Sequence, residues 1–214
     1  MNRKAQFFCA FYSYMTGAMK VIKGVIFDFN GTLFFDTEKH ILAWGKYSEE
    51  MLGRPLTKAE FESIMGQTNE LIIKFLLGRT PTEQEVAEFG GKKEELYREM
   101  CFADPEGIHL ENGVAELFDK LCQKGIKLAI ATSSPADNVD FYFEQFGIDR
   151  WFDRTTVVYD DGTINSKSAP DVYLKAAKSI GVDPSECIVF EDSINGVIAA
   201  KEAGLELGIK DSIV

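Results

Sequence analysis

Asp28 ends an apolar run, Val25-Ile26-Phe27, and a Gly31-Thr32 turn follows at once. Three other places repeat this pattern of a reactive side chain just past an apolar run or in the loop beyond it. Thr132-Ser133-Ser134 follow Ala129-Ile130-Ala131, Lys167 lies in the loop after Tyr159, and Glu191-Asp192-Ser193 follow Ile188-Val189-Phe190. A nucleophilic carboxylate, a hydroxyl, an ammonium and an acidic pair form a set suited to phosphoryl transfer, which is mostly positioning and charge neutralisation. A carboxylate attacks phosphorus to give an acyl phosphate once the repulsion between the two anions is removed. Mg²⁺ held by a few carboxylates would remove it, Lys167 would neutralise remaining charge, and Thr132 would hydrogen-bond a phosphate oxygen. Each element alone has a plainer use. Thr-Ser-Ser before Pro135 caps helices, a lone lysine is commonly solvated, and Glu-Asp-Ser starts a helix equally well. Their joint order along the chain is what points to a site.

The elements that must position them are legible as pattern. Short apolar runs bounded by turns, at Val21–Phe27, Ile126–Ala131, Thr155–Tyr159, Cys187–Phe190 and Leu205–Ile209, read as strands. Helical patterns at Val114–Lys124, Pro135–Phe146, Asp171–Ile180 and Ile194–Ala203 separate them, and most stop at a glycine. Strands alternating with helices of this length give an α/β, doubly wound parallel sheet, Rossmann-like, whose strand ends face one crevice. Between Asp36 and about Ile108 there is no strand pattern. Helices are expected over Thr37–Arg54, with Ile41, Trp44, Tyr47, Met51 and Leu52 near one face, from Thr57, over Asn69–Leu77 and over Thr82–Met100. Thr57 with Glu60 and Thr82 with Glu85 are capping boxes. The expected organisation is an extension (1–18), a core (19–35 and 108–214) and an inserted all-helical segment (36–107).

The 214 residues are 45% hydrophobic and 27% charged, which suffices for one large domain with an insertion. The net charge of −11 argues against nucleic-acid or membrane-surface binding. No stretch approaches the ~20 apolar residues of a membrane span. Cys9, Cys101, Cys122 and Cys187 form no CxxC pair or zinc spacing, and Cys122 and Cys187 read as core thiols. A cytoplasmic setting and a monomer are the expectations. Residues 1–18 faintly resemble a secretory signal, but a spurious upstream start or a disordered extension is the preferred reading.

The motifs Phe-Asp-Phe-Asn-Gly-Thr-Leu, Ala-Thr-Ser-Ser, Lys-Ser-Ala-Pro-Asp and Phe-Glu-Asp-Ser-Ile-Asn-Gly together resemble those of the haloacid dehalogenase-like hydrolase superfamily. The likeness covers about Met19 to the C-terminus and is greatest to the β-phosphoglucomutase and phosphoglycolate phosphatase-like subgroup. It implies Asp28 as nucleophile, Thr132, Ser133 and Lys167 as phosphate binders, and Asp192 as Mg²⁺ ligand assisted by Glu191. It also implies the backbone carbonyl of Asn30 as a metal ligand, and a helical cap hinged near Asp36 and Gly107. His40 and Lys93 fall at cap positions similar to substrate contacts, although a surface histidine and a solvated lysine are equally good readings. The implied substrate is a small-molecule phosphate ester.

The resemblance fails at Asn30, where the family's phosphatases carry an acid/base Asp. An amide neither gives nor takes a proton at neutral pH. Three readings follow: a weak hydrolase of esters with good leaving groups (or one in which His40 supplies the acid), a dehalogenase-like member, or a non-catalytic or phosphoenzyme-trapped binder of phosphate and Mg²⁺. Retention of Glu191-Asp192 argues against the dehalogenase, which needs no metal. Receiver domains carry similar groups, but their acidic pair comes early and their phosphoacceptor in the middle, the reverse of the order here. Ser168 in place of a usual Pro suggests a looser loop, and the short C-terminus suggests an exposed sheet edge or a truncated end.

Overall fold

The computed structural model describes residues 21–167 and 169–208. The expectations for residues 1–18, Ser168 and the end of the chain lie outside them.

Five parallel strands lie in the order β3-β2-β1-β4-β5 among the described residues. They are β1 (Gly24–Phe27), β2 (Lys127–Pro135), β3 (Val158–Asp160), β4 (Cys187–Phe190) and β5 (Glu206–Leu207). β1 is central and wholly buried, pairing with β2 on one side and β4 on the other. Alternation along each strand divides the core into two layers. Val25, Phe27, Ile130, Ile188 and Phe190 face one side, while Ile26, Ala129, Ala131 and Val189 face the other.

Helices cover both faces, as a buried parallel sheet requires. On the first side lie α5 (Val114–Gln123) and α6 (Ala136–Phe146). The α5 stripe Val114, Leu117, Phe118 and Leu121 follows the i, i+3, i+4, i+7 spacing of an amphipathic helix. Phe118 meets Phe27 and Phe152 edge to face, at centroid separations of 5.1 and 5.0 Å. On the other side lie α7 (Asp171–Ser179) and α8 (Ile194–Glu202), whose contact residues include Ala176, Ala177, Ala199 and Ala200. Small side chains there let the helices lie close to the sheet.

The helical insertion consists of α1 (Thr37–Leu52), α2 (Lys58–Ile64), α3 (Asn69–Leu77) and α4 (Gly91–Phe102). Its own core is Trp44, Tyr47, Ile64, Ile72, Ile73 and Leu76. Both capping boxes form as expected. The single helix expected over Thr82–Met100 is instead a turn at Glu83–Glu85, a π-helical stretch at Val86–Gly90, and then α4. Two consecutive glycines, Gly90-Gly91, weaken the helix interior there, and Gly90 lies against Asn69.

Other boundaries also move. β2 runs on to Pro135, because its register against β3 shifts after Ala131. A 3₁₀ turn at Arg154–Thr156 takes the start of the expected third strand. The fifth strand is described only at Glu206–Leu207. Ile41 turns to solvent, away from Trp44 and Tyr47. Cys122 is exposed rather than in the core, on the outer side of α5, whereas Cys101 and Cys187 are buried. Phe118→Ala should cost about 3–5 kcal/mol, the usual penalty for emptying an aromatic core site. A fall in the urea midpoint at unchanged slope would check this; an unchanged midpoint would contradict the packing.

Candidate active site

Strand register sets the site. Phe27 pairs with Phe190 across β1 and β4, and the Asp28 N–H donates to the Phe190 carbonyl at 2.9 Å. The residues after these two strands are therefore neighbours. Asp28, Glu191 and Asp192 each offer a carboxylate oxygen, all within 4.8 Å of one another. The Lys167 ammonium donates to both Asp28 and Glu191, to the latter at 2.7 Å. The four groups expected from sequence thus meet at the C-terminal edge of the sheet. Thr132 and Ser133 line the same cavity, contributed by the last turns of β2.

Glu191 is fully committed. One oxygen accepts from Lys167 and the Tyr173 hydroxyl, the other from the Ser193 N–H at 2.9 Å and its hydroxyl at 2.8 Å. It holds Lys167 and the start of α8 in place, leaving Asp28 and Asp192 with open oxygens. Gly31, at φ +77°, passes so close to Asp192 that a Cβ would overlap the carboxylate.

Three carboxylates, two of them buried, stand beside one ammonium, so the cluster is short of positive charge. Burial and the charge of Glu191 push Asp192 up to about 7 and Asp28 well above its ordinary value, against the opposing pull of Lys167. Burial alone would also raise Glu191, but Lys167 and its hydrogen bonds hold it below the usual range. Burial would lower Lys167, yet Asp28 and Glu191 keep its ammonium above the ordinary value. An all-oxygen donor set lacking positive charge fits a hard divalent cation.

The insertion closes the cavity. Ser133 Oγ donates to the Gly66 carbonyl at 2.7 Å, the Thr68 N–H to Ser166 Oγ at 2.8 Å, and Asn195 Nδ2 to the Met65 carbonyl at 2.8 Å. Gly66, at φ +80°, packs directly on Ser193. Ser133, expected at the phosphate, thus directs its hydroxyl to the loop between α2 and α3. The cavity volume is about 90 Å³.

His40 and Lys93 also line this cavity, on the side of the insertion. Neither is the solvated surface group that was the alternative: Lys93 is 2% exposed, between Trp44 and Tyr97. Its ammonium lies 2.8 Å from His40 Nδ1 and donates to Glu94 at 2.9 Å. An ammonium at that distance takes the Nδ1 lone pair, which leaves the imidazole proton on Nε2. Nε2 sits 3.3 Å from Asp36 without hydrogen-bond geometry.

Sequence reasoning passed over the residues that hold this wall together. Glu94 accepts from Asn69 at 2.9 Å and Asn138 at 2.7 Å, as well as from Lys93. Asp36 accepts from Asn30, Tyr97 and the Gly31 N–H. Burial opposes ionisation of both, but His40 and hydrogen bonds hold Asp36 low, and Lys93 does so for Glu94. Ser134 and Tyr142 donate to Asn30 Oδ1 at 2.8 and 2.9 Å. Only the proximity of Ser134 to Thr132 signalled any of these in the sequence.

A carboxylate cluster with a buried lysine thus lies at the C-terminal edge of a doubly wound sheet, roofed by inserted helices, an arrangement of an α/β hydrolase. A family model described as haloacid dehalogenase-like hydrolase matches residues 22–204. The chain belongs to that family. Protein CbbY of Rhodobacter capsulatus is 32% identical over 197 residues, covering 89% of this chain and 86% of that one. A phosphorylated carbohydrates phosphatase of Thermotoga maritima is 31% identical over 185 residues, covering 86% and 83%. The crystal structure of a HAD hydrolase, family IA, variant 3, from Entamoeba histolytica is 38% identical with a TM-score of 0.76, covering 87% and 82%.

The raised carboxylates set a pH dependence. In the metal-free folded chain Asp28 and Asp192 retain protons that the unfolded chain releases near its ordinary carboxylate value. Their contribution to stability is therefore present at low pH and lost as pH rises through their raised values, about 7 for Asp192. A divalent cation held by the ionised pair would compete with those protons. Mg²⁺ should raise the melting temperature more at about pH 8 than at about pH 6. Equal gains at both, in calorimetry of metal-free and Mg²⁺-loaded protein, would move the cation away from these residues.

Proposed function

We propose that this chain hydrolyses small phosphate esters by phosphoryl transfer to Asp28. The observation that carries the reading is the convergence of Asp28, Asp192 and Lys167 in one cavity. Asp28 and Asp192, with the Asn30 backbone carbonyl, would hold Mg²⁺, and Glu191 would orient the set. When bound, the ion offsets the charge of carboxylate and phosphate together. Asp28 attacks phosphorus in line with the ester oxygen; the P–O bond to the leaving group breaks and an aspartyl phosphate forms. Lys167 holds the Asp28 carboxylate in place and balances its charge. The Thr132 hydroxyl lines the same cavity and is available to a phosphate oxygen. Water then attacks phosphorus, the P–O bond to Asp28 breaks, and the proton that the water sheds passes through solvent to the departed ester oxygen, leaving the Asp28 carboxylate and inorganic phosphate.

Residues 36–107 serve in this reading as a substrate-selecting cap, with His40 and Lys93 at the leaving-group end. The printed name of the Thermotoga maritima relative supports phosphorylated small molecules as the substrate class. Apart from the weakly acidic ammonium groups of Lys93 and Lys167, proton donors are scarce in the cavity. Asn30 is an amide, Asp36 and Glu94 are held ionised with their oxygens occupied, and the one proton on His40 faces Asp36. The preferred substrates are therefore esters whose leaving group needs little protonation. The same scarcity favours a second reading, in which the aspartyl phosphate persists and the chain acts as a phosphate-loaded binder.

Asp28→Asn should lower Mg²⁺-dependent hydrolysis of an aryl phosphate by roughly a thousandfold or more with the fold retained. Undiminished turnover would remove Asp28 from the mechanism. In wild type, a burst of one leaving group per chain followed by near silence would select the trapped phosphoenzyme over the hydrolase.

A further inference from the structure

Departure of an ester oxygen is helped by a positioned proton donor, by roughly a hundred- to ten-thousandfold. Asn30 stands two residues from Asp28 and lines the same cavity, but its amide has no such proton. Its hydrogen bonds fix which way the amide lies. The Ser134 and Tyr142 hydroxyls donate to Oδ1, while Nδ2 donates to Asp36 and, at 3.3 Å, to the Tyr97 hydroxyl. Turned over, the amide would set its oxygen against the Asp36 carboxylate. A carboxylate at position 30 would meet the same conflict, anion against anion in a buried setting.

We propose that Asp36 is a positioning residue that compels an amide at position 30. The carboxylate of this pair stands at the root of α1 instead of beside Asp28. Exchanging the two side chains, rather than converting one, is what restores a carboxyl group next to the reacting centre. Asp36 is suited to this role and not to donating a proton itself. It is 1% exposed, and its oxygens take the Gly31 N–H at 3.1 Å, the Asn30 amide and the Tyr97 hydroxyl. Its place is fixed by α1 and α4 jointly, since Tyr97 also stacks on His40 at 4.1 Å. The amide introduced by D36N keeps an oxygen for Gly31 and turns its NH₂ toward the carboxylate introduced by N30D. The hydrogen bond between the positions then survives with its polarity reversed, while Ser134 and Tyr142 still donate to residue 30.

The catalytic half of the inference rests on Asp28 as phosphoryl acceptor; the pairing half does not. Wild type, N30D, D36N and N30D/D36N are compared by thermal denaturation without metal and by hydrolysis of p-nitrophenyl phosphate with Mg²⁺. Each single variant is expected to melt lower than wild type, and the double variant to lose clearly less than the sum of the two. The kcat of N30D/D36N is expected to exceed that of N30D by about tenfold or more, with KM little changed. Additive losses in melting temperature, or N30D alone reaching the kcat of the double variant, overturns the proposal. Should N30D not fold, recovery of folded protein in the double variant supports the pairing, and failure of both refutes it. If no variant turns over phosphate while the melting losses are non-additive, the pairing stands and the hydrolase reading falls.

Discussion

Charge balance at the end of β1 is the constraint on which the rest depends. The parallel register of β1 with β4 brings Asp28, Glu191 and Asp192 together on adjoining strand ends. Lys167 answers part of that charge by contacting Asp28 and Glu191 at once. Its loop must therefore reach over the sheet edge, and Tyr173 on α7 must supply a hydroxyl to Glu191. The remaining deficit falls on Asp28 and Asp192, the two groups with open oxygens. Their reluctance to ionise is the electrostatic form of a site prepared for a cation.

The insertion meets the core along two seams of different chemistry. At its root, Asp36, Tyr97, Glu94 and Arg98 join Asn30 and Asn138 through hydrogen bonds in which one partner is mostly charged. At its lip, the loop around Gly66 meets Ser133, Ser166 and Asn195 through neutral hydroxyl, amide and backbone groups. Charged hydrogen bonds contribute about twice as much as neutral ones. The root is thus the stronger attachment, and the cavity lies between it and the lip.

The core was legible because its signals are local. A buried parallel strand announces itself by an apolar run, and the reactive residue follows that run directly, as with Phe27 before Asp28 and Phe190 before Glu191. The strand-end rule then brings distant residues together without knowledge of the loops. The wall of the cavity was not legible, because Asp36, Glu94, Tyr97, Asn138 and Tyr142 find one another only through the packing of α1 and α4 on α6. Nothing in the spacing of Glu94 and Asn138 distinguishes them from solvated helix residues. His40 and Lys93 were placed by likeness to relatives, yet their burial and mutual contact are facts of packing. The helix break at Gly90-Gly91 and the exposure of Cys122 went unseen for a similar reason: composition marks tolerance, whereas tertiary contact decides.

Asn30 shows how these levels bear on one another. As sequence it is a missing carboxylate, a defect in an otherwise complete set. In the structure it is an amide with both oxygen lone pairs and both protons engaged, by Asp36 just before α1 and by residues of α4, α6 and β2. A buried amide so satisfied is not vestigial. Removing it would take one partner each from the Asp36 carboxylate and the Ser134 and Tyr142 hydroxyls, which would keep only their bonds to Gly31, Tyr97 and each other, and a buried polar group left short of partners destabilises the fold. Four elements depend on this one side chain, so the surroundings have been fitted to an amide. The chemistry of the cavity follows from that fit: charge is supplied and held at Asp28, Asp192 and Lys167, while the neighbouring wall offers a fully hydrogen-bonded amide where a carboxylic acid would stand.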